Sequence, residues 1–97
     1  MDPNVTLIEE LEGNKLGLAY GLMIFEVHIH SSTISHQHES AELWIVLNGE
    51  GFANYNNVDI KLSKGSQLTV SPNSIHHIRN ETAVPLQILS MWWRDAN

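Results

Sequence analysis

The chain has 97 residues, 42% of them hydrophobic, and its five Lys plus Arg against eleven Asp plus Glu leave a formal net charge of −6 at pH 7. This length predicts one small domain, 1–97, that buries a modest fraction of its unfolded surface and would gain from a bound metal or a second subunit. The acidity and the lack of a basic cluster argue against nucleic acid as a partner, because neutralising phosphates needs a basic surface. The absence of Cys excludes disulfides and thiolate ligands, so His and carboxylates are the residues able to bind a metal.

Membrane and secretion signals are also missing from the sequence. No apolar stretch approaches the roughly 20 residues that a spanning helix requires. The N-terminal Met1-Asp2-Pro3 lacks the basic start and apolar core of a signal peptide. We therefore expect a soluble, cytoplasmic protein with no membrane partner.

The first half of the chain predicts strands. Segments 5–11 and 16–20 are weaker candidates, and segment 22–30 is a stronger one because it ends in strict alternation. That alternation places three apolar residues on one face and three polar residues on the other: Phe25, Val27 and Ile29 against Glu26, His28 and His30.

The second half predicts a run of hairpins. The apolar run 43–47 and the segment 52–55 flank Asn48-Gly49, a pair that favours a tight turn. Asn56-Asn57 then predicts a second reversal before strand 58–62. The remaining predicted strands are 68–70, 75–79 and 86–93. Frequent turn signals without a long helical period predict an all-β domain of about eight or nine strands, a barrel or a jelly-roll sandwich with little helix.

Three of the six histidines and one glutamate form a pattern typical of a metal site. In a strand, residues two apart point to the same side, so His36 and His38 can reach one ion. Glu42 lies an even number of positions further on and would project to that side if the strand continued without a bulge. His76 follows the loop at Pro72, where a returning strand could bring it opposite. Three imidazoles and a carboxylate suit one divalent transition metal: Fe, Mn, Ni, Zn, Co or Cu.

These residues resemble the two motifs of the cupin superfamily, G-x5-H-x-H-x3-E-x6-G and G-x5-P-x-G-x2-H-x3-N. The first motif covers about 36–49 and the second about 65–80. The matching positions are His36, His38, Glu42 and Gly49, followed by Gly65, His76 and Asn80. His30 replaces the opening Gly of the first motif, Ser71 replaces the Pro of the second, and Asn73 replaces its Gly. Asn is a mild substitute, since it tolerates left-handed backbone conformations.

The resemblance implies a double-stranded β-helix, or jelly-roll barrel, with the metal inside its mouth and His36, His38, Glu42 and His76 as ligands. It does not choose a reaction, because cupins include isomerases, lyases, dehydratases, decarboxylases, dioxygenases, sugar sensors and storage proteins. Small size, apolar terminal strands and the resemblance together predict a homodimer.

The polar face of segment 22–30 has two interpretations. If it lines the barrel, Glu26, His28 and His30 are the leading catalytic candidates, for proton transfer or for supporting the metal ligands. If it does not, they meet water.

Trp44 and Val46 share the parity of Glu42, so they are predicted substrate-pocket residues. Trp44 would then stack on a planar or sugar-like ligand, with an ordinary core aromatic as the equal alternative.

Residues near the ends of the predicted strands also bear on the pocket. Trp92 and Trp93 are adjacent in a strand and must point to opposite faces, one to the core or pocket and one to an external surface that a second subunit could cover. Arg79 and Arg94 are candidates for binding an anionic substrate, although isolated arginines are more often solvated. His77 is expected to face away from the metal.

The leading hypothesis from the sequence is a metal-dependent enzyme acting on a small organic molecule. The ion would polarise a substrate oxygen as a Lewis acid, which fits isomerase, lyase, dehydratase or cyclase chemistry. Fe-dependent dioxygenase chemistry is a second branch, because the same donors suit Fe(II). The alternative is a non-catalytic module that binds or senses a sugar or metabolite.

Overall fold

The computed structural model describes residues 2–95, which form nine strands and no helix. The strands are β1 (Val5–Lys15), β2 (Leu18–Val27), β3 (Ser31–Ser32), β4 (Ala41–Asn48), β5 (Gly51–Tyr55), β6 (Val58–Leu62), β7 (Gln67–Val70), β8 (His76–Asn80) and β9 (Leu86–Asp95). They make a five-stranded sheet, β1-β2-β9-β4-β7, and a four-stranded sheet, β3-β8-β5-β6. The all-β jelly-roll prediction is confirmed, as two facing sheets rather than a closed barrel. No described element is a helix that could cross a membrane.

Some strand boundaries differ from the predicted ones. The predicted strands 16–20 and 22–30 are a single strand, β2, which pairs along its whole length with both β1 and β9. This strand ends at Val27, three residues earlier than predicted, and His30 adopts a positive φ of 50° that redirects the chain. The two-residue strand β3 was not predicted, because so short a segment shows no alternation.

The residues predicted to form turns do lie in turns of the structure. Asn56 and Asn57 both have positive φ, 49° and 67°, which is the conformation that a two-residue hairpin needs. Gly49 has φ 86°, and a Cβ there would lie 2.6 Å from the carbonyl oxygen of Pro85, so a side chain is excluded. Asn73 has φ 63° and thus takes the left-handed conformation expected of a residue that replaces Gly.

The hydrophobic core lies between the inner faces of the two sheets. Phe25, Val46 and Ile88 contribute from the five-stranded sheet, and Ala53 and Ile78 contribute from the four-stranded sheet. All five side chains are at most 9% exposed. This core is apolar and continuous, so any polar chemistry between the sheets lies beyond it.

The inner face becomes polar along β4 and β9. Val46 pairs with Ile88 in the core, the next inner row pairs Trp44 with Ser90, and the row after that pairs Glu42 with Trp92. Antiparallel pairing therefore carries the inner surface from packed aliphatic residues to a carboxylate within four residues. The polar end of this surface is where the candidate site lies.

Candidate metal centre

Two separate segments supply the predicted metal donors. Glu42 is on the inner face of β4, and His76 is the first residue of β8. His36 and His38 lie in the loop between β3 and β4. Backbone hydrogen bonds hold this loop against β8, because His36 and His76 exchange N–H···O bonds of 2.8 and 3.0 Å. The backbone N–H of Asn73 adds a third bond by donating to the carbonyl of His38 at 2.7 Å.

Three of the four predicted ligands converge. One donor atom from each of His38, Glu42 and His76 lies within 4.8 Å of the others. His38 Nε2 is 3.1 Å from Oε1 of Glu42, and His76 Nε2 is 3.8 Å from its Oε2. Glu42 is 7% exposed and His76 is 4% exposed, whereas the His38 side chain is 36% exposed, so the cluster reaches solvent on the His38 side. A carboxylate is therefore buried against two imidazoles.

His36 stands beside this group without joining it. Its ring stacks near that of His76, with 6.2 Å between the ring centroids, and its side chain lines the same cavity. The three-residue donor group does not include it, so a rotation of its side chain is needed before it can act as a fourth ligand.

His76 is prepared for metal binding by its surroundings. Its Nδ1 lies 2.9 Å from the carbonyl oxygen of Ser74, which accepts a hydrogen bond and so places the proton on Nδ1. The lone pair of Nε2 then faces Glu42. Burial lowers the pKa of His76 from its ordinary value, and the neighbouring imidazoles act in the same direction. The Ser74 carbonyl and the Glu42 carboxylate oppose that shift without reversing it. The neutral ring is the form that binds metals.

The hydrogen bonding of His38 shows that protein groups alone do not satisfy the cluster. Its Nδ1 is buried and has no hydrogen-bond partner among the described residues. Buried polar atoms are normally paired, so the unpaired Nδ1 indicates a partner beyond the described protein groups, while Nε2 is the ring nitrogen that faces Glu42. Two imidazoles and a carboxylate are ligands that suit a divalent transition metal.

Trp44 and Val46 have different environments although they share one face of β4. The Trp44 indole lines the cavity, and its Nε1–H donates a 2.8 Å hydrogen bond to Oε2 of Glu42. Val46 is 2% exposed and packs in the core instead, because it is one inner row deeper, opposite Ile88.

The donors open onto a cavity of about 990 Å³ between the sheets. Met23, Phe25 and Trp92 form much of its apolar wall. Ser90 also lines it, and the buried Ser90 hydroxyl has no partner among the described residues. Ser90 was not predicted: alternation puts it on the same face as Ile88 and Trp92, but the sequence does not show that this face is the inner one. The cavity therefore combines an apolar wall with two unpaired buried polar atoms, on His38 and Ser90.

The structure does not bring the predicted catalytic residues Glu26, His28 and His30 to this cavity. Glu26 lies in one cross-strand row with Thr6 and Gln87, on the outer face of the five-stranded sheet. His28 Nε2 is hydrogen-bonded to the hydroxyl of Thr6 at 2.7 Å. His30 follows the end of β2 and lines a separate, smaller depression. Glu26 faces outward because its neighbours Phe25 and Val27 face inward, whereas His28 and His30 follow the end of β2 and the positive φ of His30 redirects the chain.

The two arginines also differ. Arg79 alternates with the buried residues of β8 and pairs on the outside with Asp59 and Glu81. Arg94 lines the cavity, with its guanidinium 5.4 Å from the ring centroid of Trp92. Of the two arginines, Arg94 is therefore the one that lines the cavity.

The tryptophan pair points to opposite faces, as predicted. Trp92 faces the cavity and lies over Gly21, where a Cβ would be 2.3 Å from the indole Nε1. Trp93 is 39% exposed on the other side of the sheet. Next to His76, the side chain of His77 lies between two buried residues of β8 and is opposite Asn54 on β5. This places His77 on the outside, as expected.

Solved structures of other proteins share the fold of this chain. The cupin domain of the Schizosaccharomyces pombe protein Cnp3 superposes with a TM-score of 0.81 at 13% identity, over 95% of this chain and 66% of that one. A predicted oxalate decarboxylase from Thermotoga maritima superposes with a TM-score of 0.69 at 19% identity, over 77% of this chain and 78% of that one. At these identities the likeness shows the fold alone.

Comparison of sequences identifies the protein family of the chain. The uncharacterized protein MJ1618 of Methanocaldococcus jannaschii is 34% identical over 64 residues, which is 65% of this chain. The match spans 51% of that protein, so the chain corresponds to about half the length of this curated relative. The family model for the cupin domain matches residues 23–92, which include all four predicted metal ligands. Because that match covers most of the chain and the fold agrees with it, the chain belongs to the cupin family.

Proposed function

We propose that the chain is a metal-dependent enzyme that acts on a small organic molecule. One divalent transition metal would be held by His38, Glu42 and His76, with His36 as a fourth ligand after its side chain rotates. The observation that carries this proposal is the convergence of donors from two separate segments at the wall of a 990 Å³ cavity. A bound metal would supply Lewis-acid polarisation of a substrate oxygen, as in isomerases, lyases, dehydratases and cyclases, or, as Fe(II), dioxygenase chemistry.

The chain itself contributes binding and orientation. Met23, Phe25 and Trp92 bury the apolar part of a substrate and exclude water from it. Ser90 lies one inner row deeper than Trp92, and its buried hydroxyl has no partner among the described residues. Arg94 at the cavity wall is placed to attract an anionic group.

Ser90 provides a test of the cavity that does not require the substrate. We expect Ser90→Ala to raise the free energy of unfolding of the ligand-free protein, because a buried unpaired polar group costs about 1–3 kcal/mol. A gain of 1 kcal/mol would raise Tm by about 4–8 °C in a domain of this size. The matched control is Ser66→Ala, since the Ser66 hydroxyl accepts a 2.9 Å bond from the backbone N–H of Ser63 and its loss is destabilising. Equal losses of stability in both variants would show that Ser90 is satisfied within the protein.

A non-catalytic module that binds a sugar or metabolite is the second candidate, and one observation favours it. The predicted proton-transfer residues Glu26, His28 and His30 lie outside the cavity. Of the other acidic residues that line the cavity, Asp2 is tied to the backbone N–H groups of Asn4 and Ile34. Glu10 is exposed on β1, as is Glu12.

Metal-dependent turnover separates the two candidates. Protein loaded with Fe(II), Mn(II), Ni(II) or Zn(II), and metal-free protein, would each be incubated with a panel of organic acids and phosphorylated sugars and followed by proton NMR. We expect conversion of at least one compound by the loaded protein alone. Compounds that bind the loaded protein and are recovered unchanged would support the binding module instead. If the purified protein takes up no metal, the metal-dependent enzyme is excluded.

We also propose that the partner of this chain is a second copy of itself, bound through the outer face of the five-stranded sheet. Three neighbouring rows of apolar side chains cover this face, here named the outer apolar patch: Leu11, Leu22, Met91 and Leu43; Ile24, Leu89 and Ile45; Tyr20, Trp93 and Ala41. Leu11 is 61% exposed and Tyr20 is 42% exposed. Charged side chains lie at the margins of this face: Glu9 on the edge strand β1, Glu26 in the row beyond Ile24, and Lys15 and Asp95 in the row of Leu18.

The size of the patch suits a dimer. The patch spans four neighbouring strands, β1, β2, β9 and β4, about 4.8 Å apart, so it is about 15 Å wide. Its rows are two residues apart along the strands, about 7 Å, so three rows with their side chains cover about 20 Å. A patch of this size suits the apolar centre of a standard interface, in which each partner buries roughly 800 Å². A contiguous apolar surface of this extent is uncommon on a monomer.

A further inference from the structure

We infer that Trp44 is a positioning residue of the metal centre: its indole N–H fixes the Glu42 carboxylate in the orientation that presents Oε1 to the metal. The inference rests on the proposed metal centre and adds to it a group outside the predicted ligand set. It also replaces the expectation that this tryptophan serves as a stacking surface for a ligand.

The contacts of the indole point to this role. Nε1 of Trp44 lies 2.8 Å from Oε2 of Glu42, which is a normal distance for an N–H···O hydrogen bond. The indole also meets the His76 ring edge to face, with 5.3 Å between the ring centroids. One side chain therefore contacts two of the three converging donors.

Burial decides between positioning and ligand stacking. Trp44 is 4% exposed, so its ring offers a ligand almost no free face. Its polar atom is fully used by Glu42, as expected for a buried indole N–H, which needs an acceptor. Stacking on a substrate would need the ring to be uncovered first.

The backbone makes this arrangement a property of β4. Glu42 and Trp44 are two residues apart in one strand, so both side chains project to the inner face. The pairing of Trp44 with Ser90 and of Glu42 with Trp92 fixes that register against β9. The indole can therefore reach back along its own strand to the carboxylate without any loop movement.

The hydrogen bond has a chemical consequence for the carboxylate. Oε2 accepts the indole hydrogen bond and lies 3.8 Å from His76 Nε2, whereas Oε1 lies 3.1 Å from His38 Nε2. A buried carboxylate held at one oxygen presents the other as a single ligand atom. Without the N–H, the carboxylate of Glu42 would lose a charge-assisted bond and rotate, and both oxygens would become available to a metal.

Trp44→Phe tests the inference, because it removes the N–H and keeps an aromatic ring. We expect the affinity for Co(II), measured by titration of the metal-free protein, to fall about 10–100-fold, the usual effect of removing an outer partner of a metal ligand. The visible absorption of bound Co(II) should weaken as well, since coordination by both carboxylate oxygens raises the coordination number. The matched control is Trp93→Phe, the same substitution on the outer side of the sheet, which should change neither quantity.

A separate measurement distinguishes a variant that has lost the positioning contact from one that does not fold. Thermal unfolding of the metal-free variants identifies any that do not fold. If Trp44→Phe does not fold, benzothienylalanine can be placed at position 44, where it replaces the N–H with sulfur in a ring of nearly the same shape. It should reproduce the loss of Co(II) affinity in a folded protein.

Two results would overturn the inference, and they are distinguishable. Unchanged Co(II) affinity and absorption in a folded variant that lacks the N–H would show that Trp44 only packs. Absence of Co(II) binding by the wild-type protein would overturn the metal centre itself, and this inference with it.

Discussion

Replacing His76 with Ala is expected to abolish high-affinity metal binding, while the same change at the adjacent His77 leaves it intact. His76 is buried at the cavity, with Nε2 directed to Glu42 and Nδ1 fixed by the Ser74 carbonyl. Its removal deletes one of three converging donors and leaves the buried carboxylate with one imidazole less. We expect the affinity for Zn(II) or Co(II) to fall by more than about 100-fold, because changes to outer partners alone cost about 10–100-fold.

Metal content by mass spectrometry, on protein purified without chelator, measures this loss directly. The thermal shift on adding Zn(II) is an independent measure, since a ligand that binds only the folded state raises Tm. His77→Ala is a stringent control because it removes the same side chain one residue away, from the opposite face of β8. Equal metal content in the two variants would contradict the proposed centre.

The sequence predicted the donor set better than it predicted the surroundings. The spacing from His36 to Glu42 and the distant His76 identified three residues that do converge. His36 illustrates the limit, since its backbone is bridged to His76 while its side chain stays outside the donor group. Motif spacing places a backbone, and the rotamer depends on neighbours that the motif does not contain.

The position of Glu26 and His28 could not be deduced from alternation alone. Strand β2 is apolar on both faces, with Phe25 in the core and Ile24 in the outer apolar patch. A pattern of this kind shows which residues share a face and leaves open which face is inside. The outer face of β2 is apolar because it belongs to the outer apolar patch. For this reason the sequence could not show whether Glu26 and His28 face inward or outward.

The roles of Trp44 and Ser90 depended on pairing between strands far apart in sequence. Parity placed Trp44 beside Glu42, which the structure confirms. The choice between a ligand wall and a hydrogen-bond donor required the indole rotamer. Ser90 can be recognised as a cavity residue only from the strand order of the structure, in which β9 lies between β2 and β4.

The second large effect is expected from Met91→Glu, which should convert a dimer into a monomer. Met91 lies in the middle row of the outer apolar patch, between Leu22 and Leu43 on the neighbouring strands. A carboxylate there would be buried without a partner in the interface and would oppose the same charge on the second copy. Light scattering coupled to size-exclusion chromatography should give the mass of two chains for the wild type and of one for Met91→Glu.

The control for this substitution is Val58→Glu, which introduces the same charge at an exposed apolar position on β6. Val58 is 60% exposed and belongs to the four-stranded sheet, so the mass should remain that of two chains. A wild-type mass of one chain, or a dimer that survives Met91→Glu, would exclude the outer apolar patch as the interface. Because a chain of 97 residues buries little surface by itself, the wild-type Tm should also rise with protein concentration, whereas that of Met91→Glu should not.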